Sequence, residues 1–139
     1  MKKRPFPLHP AQKDVFIDQL LDVESFHYNI GGYIKPEGTL DKEKFFQAVR
    51  SAPQVFDAYK MRFNSDISNP SFFIEEDYEE MDVEELDFSQ EEDRKGIAMN
   101  WMQDRFDTAF NIKEDEVLFE HVLIKIADAE HWFFVSTII

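Results

Sequence analysis

The stretch Val117-Leu-Phe-Glu-His-Val-Leu-Ile-Lys-Ile126, Ala127-Asp-Ala-Glu130, His131-Trp-Phe-Phe-Val-Ser-Thr-Ile-Ile139 decides the fold class. Two runs rich in β-branched and aromatic residues flank a short polar turn, which predicts an antiparallel hairpin of strands Val117 to Ile126 and His131 to Ile139. The second run is apolar on both faces. A strand of that kind needs a neighbour on each side and cover above and below. A sequence that closes on it reads as part of something longer.

Working outward from the hairpin, Gln90 to Asp107 carries Ile97, Ala98, Trp101, Met102 and Phe106 at helical spacing, which predicts a helix with those residues inside. Ser71 to Glu75 pairs with Ala58 to Asn64 as a second hairpin, turning at Asp66 to Pro70. Asp41 is suited to cap a helix bearing Phe45, Phe46 and Val49, and Pro53 interrupts that helix or starts a short second one. Ser25 to Lys35 reads as a strand. Its internal Gly31-Gly32 marks a bulge or the close approach of another backbone, and Pro36-Glu37-Gly38 ends it. Pro10 suits the first turn of a helix over about 10–22, with Ala11, Val15, Phe16, Gln19, Leu20 and Val23 on one side. Residues 1–9 read as an irregular lead-in. The order of elements predicts an α+β fold with helices packed on one mixed sheet. No internal repeat or low-complexity linker divides residues 1–139, so a single domain is expected.

The chain has 139 residues, a formal charge of −14, 15 phenylalanines and no cysteine. Disulfides, thiolate metal sites and cysteine nucleophiles are therefore excluded. The acid excess argues against binding a nucleic-acid backbone. It is also local: twelve of the 29 acids and none of the 15 bases lie between Glu75 and Asp93, which leaves the remainder at −2. That stretch reads as a solvated, partly strand-forming surface segment. The start, Met1-Lys-Lys-Arg-Pro-Phe-Pro-Leu-His-Pro, has no apolar run of signal-peptide length behind it, and no window approaches a membrane span. A cytoplasmic location without membrane contact is expected.

Few residues suggest chemistry. His9, His27, His121 and His131 show no metal-ligand spacing, and packing roles are expected for His121 and His131. There is no Gly-x-Ser-x-Gly, no phosphate-binding glycine loop and no calcium-loop spacing in the acidic run.

The motifs carry more. Pro7-Leu-His-Pro-Ala-Gln12 followed by Phe16-Ile-Asp-Gln-Leu20 resembles the opening motif of the condensation domains of nonribosomal peptide synthetases, Pro-Leu-Ser-x-Ala-Gln before a helix with Gln-Leu near its end. Tyr28-Asn29-Ile30 and Gly38-Thr-Leu-Asp41 are similar to the strand and helix start that follow in that family. Phe56-Asp-Ala-Tyr-Lys-Met-Arg-Phe63 resembles His-Glu-x-Leu-Arg-Thr-x-Phe, with Phe56 in place of the His, Asp57 of the Glu and Lys60 of the Arg. Phe110-Asn-Ile112 and Val117-Leu-Phe119 resemble Phe-Asp-Leu and Pro-Leu-Leu/Phe. Glu130-His131 before an apolar strand is how the family approaches its catalytic motif.

The resemblance implies the N-terminal, chloramphenicol-acetyltransferase-like lobe of a two-lobed acyltransferase-type enzyme. In such enzymes His-His-x-x-x-Asp-Gly sits between the lobes, and its second His assists attack of an acceptor amine on a thioester held by a peptidyl carrier protein. This sequence has no such motif; the paired histidines would fall at or just after Ile138-Ile139. No catalytic residue is therefore expected, and no condensation by these residues alone. Gln12, Tyr28, Asn29, Asp57, Lys60 and Arg62 are implied as motif positions supporting the fold, and Arg62 could instead pair with the acidic stretch. No cofactor or metal is expected to bind directly. The phosphopantetheine arms of carrier proteins would be the substrate tethers, and carrier domains and the C-terminal lobe the partners. A free-standing, non-catalytic docking module is the alternative; an unrelated α+β ligand-binding domain would explain the pattern but not the ordered motifs.

Overall fold

A computed structural model describes residues 3–64, 66–112 and 116–138. The chain runs β1 (Phe6–Pro7), α1 (Pro10–Leu21), β2 (Asn29–Ile34), α2 (Lys42–Arg50), 3-10 turns at Ala52–Gln54 and Asp57–Lys60, β3 (Met61–Phe63), β4 (Ser71–Ile74), β5 (Glu84–Asp87), α3 (Arg94–Phe106), β6 (Phe119–Ala127) and β7 (Glu130–Ile138). The fold is α+β as expected, but the strands form two sheets instead of one: β1-β4-β3, and a mixed sheet in the order β2-β7-β6-β5.

The decisive hairpin forms as read. β6 and β7 pair antiparallel with Val122 opposite Phe134 and Ile124 opposite Trp132, and a register shift lies between Lys125 and Ala127. β7 has β6 on one side and β2 on the other, the two neighbours its apolar faces require. Ile139 lies outside the described residues. Val122, Leu123, Ile124 and Ile126 are fully buried, with Trp132 and Phe134 nearly so. Burying each such side chain contributes roughly 1.5–3 kcal/mol. Ala98 and Met102 of α3 close one face of this core, with Trp101, Phe106, Leu86 and Phe88 partly buried around it. Ile97, expected inside, is 36% exposed; it sits on the margin of the α3 stripe.

Side chains stop the backbone at each helix start. His9 accepts from the Ala11 N–H through Nδ1 at 3.3 Å, and Gln12 Oε1 accepts from the His9 N–H at 2.8 Å, a reciprocal cap just ahead of Pro10. Asp41 accepts from the Lys44 N–H and Asp93 from the Gly96 N–H, each at 3.2 Å. The cap at Asp93 shortens α3 from the expected start near Gln90.

Three further expectations are corrected. The lead-in is not wholly irregular: Phe6–Pro7 adds an edge strand to β4, where Pro7 has no ladder N–H to lose, and Phe6 stacks on Phe72 at 5.3 Å. Only Asn29–Ile34 of the first expected strand is extended; a turn donates Ser25 N–H to the Asp22 carbonyl and Asn29 N–H to the Phe26 carbonyl. Asp57–Lys60 coils as a 3-10 turn, leaving Met61–Phe63 as strand. The acidic stretch is partly strand-forming, as expected: Glu84–Asp87 forms β5, parallel to β6, while Met81 and Val83 among the acids are buried.

Gly31 shows close backbone approach. A Cβ there would lie 2.9 Å from Ser136 Cα and closer still to the Val135 carbonyl oxygen, so only glycine lets β7 come this near. Gly32 has open space around it.

Candidate functional site

A pocket of about 160 Å³ opens beside the end of β7. Its walls come from four stretches distant in sequence: Gln12, Val15, Phe16 and Gln19 of α1; Ala58, Met61 and Phe63 around β3; Ile112, Leu118 and Phe119 at the approach to β6; and Thr137 and Ile138. The first three of these stretches carry ordered motifs of the sequence. Phe16, Ile112 and Leu118 form a small core of their own, joined by partly buried Leu8, Leu20, Phe63, Phe110 and Ile138. Phe16 and Phe63 meet at 5.4 Å between ring centres.

The pocket is mainly apolar with a few polar handles. Thr137 Oγ1 donates to the Leu118 carbonyl at 2.8 Å, which ties β7 to the approach of β6. Gln19 is buried; its Nε2 donates to the Ser25 carbonyl at 2.8 Å, while its Oε1 has no partner among the described residues. Gln19 was not singled out as a site residue. Its signal was a polar side chain at an apolar-spaced position of α1.

Only Gln12, of the six motif positions, lines the pocket directly. Asn29 stands opposite Ile138 and donates through Nδ2 to the carbonyls of Phe106, at 2.8 Å, and Thr108, at 2.9 Å, so it joins the end of α3 to the end of β7. Tyr28 donates to Asp18 Oδ2 at 2.7 Å. Asp57 is exposed at the start of its 3-10 turn, and the Lys60 carbonyl accepts from the Glu75 N–H at 2.8 Å. Arg62 is buried, donates through Nη1 to the Tyr59 and Met61 carbonyls at 2.9 Å each, and lies 4.6 Å from the ring centre of Tyr78. Arg62 thus meets the acidic stretch through an aromatic ring. Burial pushes the Tyr78 hydroxyl pKa up, and the nearby guanidinium opposes that rise.

None of the four histidines lines this pocket. His121 lies among Tyr59 and Phe133, with ring centres at 5.7 and 5.8 Å, and burial lowers its pKa. His131 is buried at the far end of β7; burial, then Lys42 and Lys125, lower its pKa, and its Nε2 has no partner among the described residues. Both imidazoles are held neutral near pH 7. Among the described residues no three His, Asp or Glu side chains gather as a metal site, and no helix is long and apolar enough to cross a membrane.

The condensation-domain family model matches residues 2–137. Tyrocidine synthase 3 of Brevibacillus parabrevis is 33% identical over 64 residues, 46% of this chain and 1% of that protein. The starter condensation domain of rhizomide synthetase superposes with a TM-score of 0.87 at 23% identity, over 97% of this chain and 32% of that one. The same domain has been solved as a mutant in complex with C8-CoA and Leu-SNAC. The first condensation domain of the calcium-dependent antibiotic synthetase, in complex with a substrate analogue, gives a TM-score of 0.82 at 24% identity over 96% of this chain and 32% of that one. This chain therefore spans about a third of the solved chains it superposes on.

Proposed function

The chain belongs to the condensation-domain family, and from that premise we propose that it is the N-terminal lobe of an amide-forming domain whose substrates arrive on carrier proteins. The observation that supports this reading most is the meeting of three motif-bearing stretches around one pocket at the end of β7.

In the proposed reaction an acceptor amine attacks the carbonyl carbon of a donor thioester. The C–N bond forms, the C–S bond breaks, and the amine proton leaves for the thiolate of the donor's phosphopantetheine arm. Tethering both substrates turns a bimolecular encounter into an oriented one, the largest part of the acceleration. An imidazole from a His-His-x-x-x-Asp-Gly segment beyond β7 would hold the moving proton. None of the four histidines in these residues has that role.

The work of the described residues is to position. β2 and β6 clamp β7 from both sides, the Thr137 hydroxyl and the Asn29 amide fix its end, and the polypeptide that follows starts from a fixed point. Val15, Phe16, Met61 and Phe63 offer an apolar wall to the acyl part of a donor, the substrate class that the complex of the rhizomide domain brings to mind. Gln12, Tyr28, Asp57, Lys60 and Arg62 hold the frame.

The test is product formation, by mass spectrometry, from an acylated carrier protein and an aminoacyl thioester acceptor. The 139-residue chain alone is expected to give no amide above the buffer rate. The parent polypeptide, continued past Ile139, is expected to carry His-His-x-x-x-Asp-Gly within a few residues and to give product. Amide formation by the 139 residues alone, or a continuation without the motif, would refute the reading. A folded monomer that binds carrier protein without turnover in any context would favour a docking module instead.

A further inference from the structure

His131 sits at the start of β7, directly across the ladder from Lys125, and only 8% of it reaches solvent. Its Nε2 is sealed off by residues of this chain and has no hydrogen-bond partner among the described residues. The cleft beside it is lined by Leu40, Asp41, Lys42 and Glu43 at the start of α2, and by Lys125 of β6 and Asp128 of the turn. The imidazole is thus enclosed between the sheet and the first turn of α2.

Every element around this imidazole brings charge. α2 and its cap bring Asp41, Lys42 and Glu43; β6 and its turn bring Lys125 and Asp128; β5 brings Glu85 and Asp87. Several are engaged elsewhere. Lys42 pairs with Glu85, Lys125 pairs with Asp128 at 3.2 Å, Asp41 caps α2 at the Lys44 N–H, and Ser89 bonds Asp87. Burial, then the two lysines, outweigh Glu85 and Asp87 and hold the imidazole below its ordinary value of 6.5. An added proton makes both ring nitrogens donors and leaves the Nε2 N–H without an acceptor. A buried charge of that kind is relieved by opening the structure around it to water.

The element beside His131 is the one held least. α2 contains no buried residue. It rests on Phe45 against the Phe133 ring, 4.9 Å between centres, on the exposed Lys42–Glu85 pair, and on the Arg50 carbonyl, which accepts from the Met81 N–H at 2.9 Å. Exposed ion pairs add little. Opening β6 and β7 instead would expose Val122, Leu123, Ile124, Trp132 and Phe134, the main core. We propose that α2 is an acid-released flap with His131 as its trigger: as the imidazole takes a proton, α2 lifts from the sheet and uncovers His131 and Phe133. The proposal does not rest on the catalytic reading.

The sign follows from linkage. With α2 seated, His131 binds its proton less readily than when α2 is lifted. The opening constant is therefore flat at neutral pH and rises as pH falls below 6.5. For one proton the rise approaches about tenfold per pH unit, and it levels off once the seated imidazole is itself charged. Amide hydrogen exchange of the native chain, corrected for intrinsic exchange and followed from about pH 7.5 to about 5, reads this constant. Amides of Phe45 to Arg50 should open more with acid, while Val122 to Ile124 of β6 stay closed by comparison. His131→Leu cannot take the proton and should make the α2 constant flat, whereas His121→Leu should leave the rise in place. In the native chain, whatever the variants do, the nuclear magnetic resonance signal of the His131 ring should keep its neutral position at pH 6.5, where an ordinary imidazole is half charged. An α2 constant that ignores pH, a rise that survives His131→Leu, α2 opening only together with β6, or a His131 ring half-titrated at pH 6.5 would overturn the proposal.

Discussion

The two edges of the four-stranded sheet are built from opposite materials. β5 offers Glu84, Glu85 and Asp87 to solvent and is held by side chains from elsewhere: Arg105 bridges Glu84, at 3.1 Å, and Glu120, and Lys42 pairs with Glu85. Ser89 bonds the Asp87 carboxylate through its N–H and hydroxyl, and those bonds hold its pKa below the usual carboxylate range. β2 offers isoleucine, glycine and tyrosine, and its one polar residue, Asn29, is turned to the end of α3. One side of the sheet is closed by charge and the other is left open beside the strand that leads to the candidate site. The difference shows that the acidity is a property of one edge, and that β7 gains its second neighbour from a strand with no charge to solvate.

The largest test of this contrast breaks the apolar edge. Gly31→Val puts a side chain into the Val135 carbonyl and should cost about 3 kcal/mol, read as a lowered urea midpoint. A loss below 1 kcal/mol would mean that β2 is not seated as described. Next comes the anchor that leads the chain toward β5. Arg62→Ala removes a buried guanidinium that serves two carbonyls and the Tyr78 ring, with an expected loss of about 2–3 kcal/mol. Unchanged stability would remove Arg62 as the link to the acidic stretch.

The charged edge should respond less, and with a pH signature. Burial raises the Glu120 pKa while Arg105 lowers it, so the native state holds this proton more tightly than the unfolded chain does. Stability contributed by such a group falls as pH rises from the ordinary carboxylate range through the native pKa. Arg105→Met removes the opposing cation, so its penalty, about 1 kcal/mol at pH 7, should shrink as the pH is lowered through the Glu120 pKa. A pH-independent penalty would assign the loss to packing on Trp101, 5.3 Å from the guanidinium. The smallest effect has the opposite sign. Gly32→Ala meets open space and restricts the unfolded chain, so it should stabilise by about 0.5 kcal/mol in thermal melts of dilute protein.

Legibility in the sequence followed the source of each element's stability. The hairpin of β6 and β7 was readable because its side chains state their own pairing, as were the cap at Asp41 and Pro10 in the first turn of α1; Gly31-Gly32 signalled a bulge or a close backbone, and the structure assigns the close approach to Gly31 alone. The acidic stretch was readable as partly strand-forming, but the bounds of β5 and its parallel pairing with β6 were not, since that pairing is made by backbone. Phe6–Pro7 is too short for a periodic signal, and Asp57–Lys60 alternates like a strand while its backbone coils locally. The motifs could be read in order along the chain. Their meeting at one pocket could not, because Gln12, Phe63 and Leu118 come together only through the packing of α1 on β3 and the sheet. Gln19 stayed hidden for the same reason, as its burial depends on the turn at Ser25.

The proposed positioning role depends most on β7 being fixed at its end, where the chemistry is proposed to follow. Amide hydrogen exchange along β7, read residue by residue, measures this directly. Residues Ser136 to Ile138, held by β2, β6 and the Thr137 hydroxyl, are predicted to exchange as slowly as Trp132 to Phe134, and far more slowly than Glu84 to Asp87 of β5. Exchange at Ser136 to Ile138 as fast as at β5 would show a fraying end, and would contradict a strand built to present a site.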